Sequence, residues 1–155
     1  MSTLSDLSEQ IYDSELGFED GDDARNKEIA LIESWLDAHV GELNTLLNTS
    51  FVSVSGEIEN FKGEEEAILR EMYMYNYYRK HNRNVLRLVD GSVSELDFQT
   101  IREGDSVITR SNKSEVAKNY RMLMAQTQER LDNLVHVYNL YASKPSQVTG
   151  DDAAG

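Results

Sequence analysis

The apolar positions of this chain fall into three stretches of helical spacing, separated by connectors marked by glycine. From Lys27 to Asn48, residues Ile29, Ile32, Leu36, Val40, Leu43 and Leu47 form one stripe. Leu31, Trp35 and Leu46 widen it, while Glu33, Asp37, Glu42 and Asn44 cover the polar side. Gly41 costs such a helix about 1 kcal/mol relative to alanine, which points to a close neighbour at that position. Ser50 to Gly56 is β-branched and apolar, and reads as a short strand or extended connector. Glu64, Glu65 and Glu66 after Gly63 suit the positive end of a helix dipole. A second helix is expected from there to about Val89, with Ile68, Met72, Tyr75, Val85, Leu86 and Val89 as its apolar face and Asp90-Gly91-Ser92 as its stop.

In the last third, Leu96 and Phe98 alternate, with Ile101 just beyond; Gly104-Asp105 turns the chain, and Ser106 to Arg110 returns. This predicts a β-hairpin near residues 96–110. Asn112 and Glu115 have the spacing of a helix-capping box. The third helix they open carries Val116, Tyr120, Leu123, Leu131, Leu134, Tyr138 and Tyr141 along one face and stops at Lys144-Pro145. At 1.5 Å per residue it is a rod of about 45 Å. The expected fold is mainly α: a bundle of three or more helices with a small β-hairpin and extended terminal arms. Residues 1–26 form an acidic N-terminal arm, 27–142 the helical bundle domain, and 143–155 a C-terminal docking tail.

The N-terminal arm holds Asp6, Glu9, Asp13, Glu15, Glu19, Asp20, Asp22 and Asp23 against one base, Arg25. Leu4, Leu7 and Ile11 could stripe a short helix, but Gly17, Gly21 and the charge run favour an extended segment, either solvated or ordered by a partner.

The length of 155 residues suits one domain. A hydrophobic share of 39% is below the norm of roughly 45–50%, so part of the chain lies outside the core or other chains complete that core. The net charge of −13 opposes wrapping of nucleic acid and suits a protein that must not stick to DNA passing nearby. The absence of cysteine excludes disulfides and thiolate metal sites. No apolar run approaches the roughly 20 residues of a membrane span, and the N-terminus lacks a signal pattern.

Little in the chain suggests catalysis. His39, His81 and His136 lie on different expected helices without ligand spacing. Asp20-x-Asp22 starts like a calcium loop, but Arg25 and Leu31 occupy the positions that need glycine and glutamate. No phosphate-binding glycine motif and no nucleophile elbow occurs. The expectation is a non-enzyme with no cofactor and no metal.

The second helix places Tyr73, Tyr75, Tyr77 and Tyr78 beside Arg79, Lys80, Arg83 and Arg87. Tyrosine and arginine are favoured at interfaces, yet Tyr75 and Tyr78 could equally face the core while the arginines stay solvated. Stacking of single-stranded nucleic acid on the tyrosines is disfavoured by the overall charge. The leader and the Glu57–Glu66 stretch are acidic, whereas Arg79–Arg87 and Arg102–Arg121 are net basic. These segments can pair within one chain, or head to tail between copies in a ring.

The order of elements, together with Arg102-Glu103-Gly104-Asp105-Ser106, Arg110-x-Asn112-Lys113-x-Glu115-x-Ala117-Lys118-x-Tyr120 and the closing Gln147-Val148-x-Gly150-Asp151-Asp152, resembles the small head-to-tail adaptor (connector) proteins of tailed bacteriophages, particularly those of cyanobacterial phages. The resemblance spans about Ile29 to Asp152. It implies a mainly helical virion protein of the neck, assembled in the host cytoplasm as a homo-oligomeric ring, most often of twelve. Such a ring joins the portal protein to a downstream neck or tail protein and extends the channel through which genomic DNA passes without specific binding. In that setting Arg79, Arg83, Arg102, Asp105, Arg110 and Lys113 are expected at subunit interfaces, and Gln147, Val148, Gly150 and Asp151 in the portal-docking tail. The alternative is an acidic regulatory or anti-host protein that mimics nucleic acid through its leader, to be distinguished by deleting residues 1–26.

Overall fold

In the computed structural model, residues 2–17, 21–90, 100–103, 106–109 and 113–142 are described. The chain begins with a two-residue strand β1 (Ser2–Thr3) that runs directly into helix α1 (Leu4–Ile11). Thr3 caps this helix, its hydroxyl accepting the Asp6 amide N–H at 3.1 Å. Leu4, Leu7 and Ile11, spaced three and four apart, lie on its inner face and are at most 2% exposed, with Tyr12 beside them.

The leader is therefore not an extended or solvated arm over these residues; it is a core element. Its charges do not oppose the helix, because Asp6, Glu9 and Asp13 stand on the outer, exposed face. Arg25 then folds back on it, reaching both carboxylate oxygens of Asp13 at 3.0 and 3.1 Å and lying over the Tyr12 ring. The glycines act as punctuation rather than as breakers. α1 passes into a π-helical turn, Tyr12–Leu16, which Gly17 closes in the left-handed region with its N–H on the Tyr12 carbonyl.

Helix α2 (Asp22–Leu47) follows the expected stripe: Ile29, Ile32, Leu36, Val40, Leu43 and Leu47 are all buried. Leu31 and Leu46, expected to widen it, remain 54% and 37% exposed. Among the described residues Gly41 has no close neighbour. A Cβ built there meets nothing within 4 Å, so the expectation of a tight approach is corrected. Gly41→Ala should consequently stabilise the chain by up to about 1 kcal/mol, read as a higher urea midpoint at unchanged slope.

The helix ends at Asn48 in the left-handed region, and one residue organises the connector beyond it. The Asn44 side chain accepts from the Phe51 amide and donates to the Phe51 carbonyl, both at 2.8 Å, and also accepts from the Thr49 hydroxyl. Strands β2 (Ser53–Val54) and β3 (Glu57–Ile58) then form a hairpin through Ser55 and Gly56, both at positive φ as a tight two-residue turn requires. β1 pairs antiparallel with the other edge of β3, Ser2 opposite Ile58 and Thr3 opposite Glu57, giving the order β1-β3-β2. The sequence pattern predicts only one strand of this sheet, β2.

Helix α3 (Gly63–Asp90) buries Ile68, Leu69, Met72, Tyr73 and Met74, more than the single face expected, because α1, α2 and α4 all pack on it. Tyr75 is half-buried and Leu86 is 40% exposed. Glu65, itself buried, caps the helix by accepting the Lys62 amide at 3.0 Å, and its second oxygen accepts the Tyr138 hydroxyl at 2.8 Å.

Strands β4 (Thr100–Glu103) and β5 (Ser106–Thr109) pair antiparallel, from Thr100 opposite Thr109 to Glu103 opposite Ser106. The expected hairpin is present over these residues. Its turn at Gly104-Asp105, residues 96–99 and the cap at Asn112 lie outside the described residues. Helix α4 (Lys113–Ala142) runs 30 residues and packs chiefly along α3. Ala117, Thr127 and Leu131 are buried, and Val116, Tyr120, Leu123, Leu134 and Tyr138 are half-buried. Arg130 reaches the buried Glu71 at 2.9 Å; burial pushes the Glu71 carboxyl up while Arg130 pulls it back.

Candidate interaction surfaces

α3 positions charges of opposite sign at its two ends. Glu64 and Glu66 stand in its first turn, close in sequence to exposed Glu57 and Glu59. Arg79, Lys80 and Arg83 are exposed some five turns later, about 28 Å along the axis from Glu64 to Arg83. A separation of that size prevents these groups from neutralising one another across a roughly 10 Å screening length. The ion pairs among the described residues are Arg25–Asp13 and Arg130–Glu71, so none joins the acidic leader or Glu57–Glu66 to Arg79, Lys80 or Arg83.

Between the poles lies a ladder of rings. Tyr73, Tyr77 and His81 follow one another at helical spacing, with centroids 6.5 and 4.2 Å apart. Trp35 of α2 meets Tyr73 edge-on at 5.3 Å and carries His39 stacked at 3.8 Å. From α4, Tyr120 approaches both His81 and Tyr78. Tyr73 is the most deeply buried of these tyrosines, and burial followed by the nearby Glu28 pushes its phenol up to about 12. Tyr77 and Tyr78 are raised as well, again mainly by burial. The tyrosine-rich stretch thus serves the core through Tyr73 and lines helix boundaries through Tyr75, Tyr77 and Tyr78, which are half-buried.

His81 is held below the usual imidazole value of about 6.5, first by burial and then by Lys80, with Glu28 acting in the opposite direction. A base whose folded pKa is lowered binds its proton better in the unfolded chain. Its stabilising effect is complete above that usual value and is lost as the pH falls through it. Unfolding midpoints should therefore drop as the pH falls below about 6.5, and His81→Phe should flatten that part of the profile measured by urea denaturation.

Of the residues expected at interfaces, Arg79 and Arg83 come together, exposed on successive turns of α3, with Arg79 donating to Asn76 Oδ1 at 3.1 Å. Arg102 lies in β4 opposite Val107, and Lys113 opens α4. Asp105, Arg110, Gln147, Val148, Gly150 and Asp151 lie outside the described residues.

Two surfaces escape the sequence pattern. Val137, Leu140 and Tyr141 form an apolar end on α4, with Tyr141 72% exposed. A groove of about 730 Å³ opens between α2 and α3, where Leu31, Trp35, Tyr73 and Tyr77 meet. The repeat Leu31, Trp35, Ala38, with Leu46 further on, could have announced a second face of α2. Only the angle between the helices turns that face into a groove. Among the described residues no three His, Cys, Asp or Glu side chains gather as a metal ion would need, and no helix is long and apolar enough to cross a membrane. Comparison with protein-family models, with curated proteins and with solved structures yields no match.

Proposed function

We propose that this chain is a structural subunit of a homo-oligomeric ring in a bacteriophage neck, an adaptor that joins the portal to the tail and extends the DNA channel. The observation that carries the reading is the placement of acidic and basic groups at opposite ends of α3, with no ion pair joining the two among the described residues. Charges so arranged on one rigid helix favour contact between the acidic end of one copy and the basic end of the next. Repeated by rotation, such a contact closes a ring. The exposed apolar residues on α2 and α4 supply burial for the same contacts, and the net charge of −13 keeps a channel wall from holding DNA. Electron microscopy of the concentrated protein should show closed rings with a central opening; a uniform field of single subunits would reject the reading.

A second reading is favoured by one observation: Asp6 and Glu9 form an exposed acidic pair on α1, bordering a shallow depression lined also by Glu66 and Arg70. A nucleic-acid mimic would use that pair to hold a basic host protein. Deleting residues 1–26 cannot test this, because α1 belongs to the core. Asp6→Asn with Glu9→Gln removes the charge and spares the fold. Loss of capture of a basic host protein in that variant would support the mimic, whereas a ring subunit should assemble unchanged.

A further inference from the structure

The groove between α2 and α3 and the apolar end of α4 are the two halves of one contact, and they lie too far apart to meet within a chain. Asn139 of α4 donates to the Leu46 carbonyl at 3.1 Å, which places the α4 end beside the C-terminal turns of α2. The groove belongs to the other half of α2, where Leu31 stands about 22 Å along the axis from Leu46. We infer that the apolar end of α4, Val137 with Leu140 and Tyr141, inserts into the α2–α3 groove of a second copy. This inference rests on the ring reading and names the surface by which neighbouring subunits would join.

Shape and charge both support this occupant. Val137, Leu140 and Tyr141 are spaced three and four apart, so they project from one side of the last turns of α4. A tyrosine entering a groove walled by Leu31, Trp35, Tyr73 and Tyr77 gains the edge and offset ring contacts such side chains favour. Tyrosine and tryptophan anchors of this kind dominate interface energetics. The groove is bordered by Lys80 and Glu28, with Arg83 one turn beyond Lys80, so these groups leave it net positive, while the inserting residues sit in the last turns of α4, the negative side of its dipole. Glu64 and Glu65 act on Tyr138 beside that end, adding charge of the sign that Lys80 and Arg83 attract. Because the two halves are different patches, the contact is head to tail and propagates from copy to copy.

The test uses two full-length variants at exposed positions, Leu31→Glu in the groove and Tyr141→Glu on the α4 end, with Val137→Glu as a second change on that end. Circular dichroism should show each as folded as the parent. In analytical ultracentrifugation the parent should form closed oligomers. Each single variant should associate at least about thirtyfold more weakly, the loss expected for one interface anchor. Mixed in equal amounts, Leu31→Glu and Tyr141→Glu should form a one-to-one pair and nothing larger, since one retains the inserting end and the other the groove. If both variants still assemble like the parent, or only the Tyr141 and Val137 changes matter, this contact is wrong while the ring reading stands. A mixture that pairs beside a parent that grows into open chains would keep the contact and reject the ring. A monomeric parent with no pairing in the mixture would reject both.

Discussion

Removing residues 1–16 should leave a chain that does not fold. The leader carries the heaviest charge in the sequence, yet Leu4, Leu7, Ile11 and Tyr12 fill the space against α2 and α3 and are among the least exposed side chains of the molecule. Truncating a buried leucine or isoleucine to alanine costs about 2–5 kcal/mol, and a domain of this size is stable by only about 5–15 kcal/mol. Leu7→Ala and Ile11→Ala should each lower the urea midpoint sharply, and the pair should bring the protein near its unfolding limit at room temperature. Asp6→Asn and Glu9→Gln on the opposite face should change stability by less than about 0.5 kcal/mol. If Leu7→Ala proved as mild as Asp6→Asn, α1 would have no place in the core.

The second large effect belongs to Glu65. Its carboxylate is buried, caps α3 at the Lys62 amide, and accepts the Tyr138 hydroxyl from α4. Glu65→Ala removes both bonds and leaves the Tyr138 hydroxyl without that acceptor, a loss of about 2–4 kcal/mol when capping and charged hydrogen-bond contributions are combined. Tyr138→Phe should cost less, and the two changes should be strongly non-additive in a double-mutant cycle, because they break the same bond. Burial and Glu65 together push the Tyr138 phenol up to about 12. A phenol raised in this way stabilises the fold fully below the usual tyrosine value near 10 and loses that effect as the pH rises through the raised one. Tyr138→Phe should therefore blunt the alkaline end of the stability profile, measured by denaturant unfolding from neutral pH upward.

How far the fold could be read beforehand depended on how many neighbours each helix has. The buried stripe of α2 is single and regular, so Ile29 through Leu47 could be assigned residue by residue. α3 is covered by three helices, and a segment buried on several sides loses the one-face periodicity that would reveal Leu69, Tyr73 and Met74. In α1 the local charge density pointed to solvent, although the three-and-four spacing of Leu4, Leu7 and Ile11 and the Thr3-x-x-Asp6 cap were already visible. β1 and β3 are two residues long, too short for any alternation to show. The hairpin over 100–109 was legible because its turn chemistry is local. Among the surfaces, the basic end of α3 followed from composition, but the groove beside Leu31 is set by the angle between two helices and has no counterpart in sequence spacing.

The pairing of β1 with β3 also decides how firmly the start of α1 is held. Ser2 and Thr3 are stitched to Ile58 and Glu57, and the Leu4 amide reaches the Gly56 carbonyl at 2.8 Å. The first residues of the chain thus close a ring of backbone that encloses α1 and α2 and is sealed only once residues 56–58 exist. α1 can pack on α2 before that closure, but β1 stays unpaired until the chain beyond α2 has reached β3. Once it is paired, fraying at the start of α1 also costs the β1–β3 bonds and the bond from the Leu4 amide to the Gly56 carbonyl.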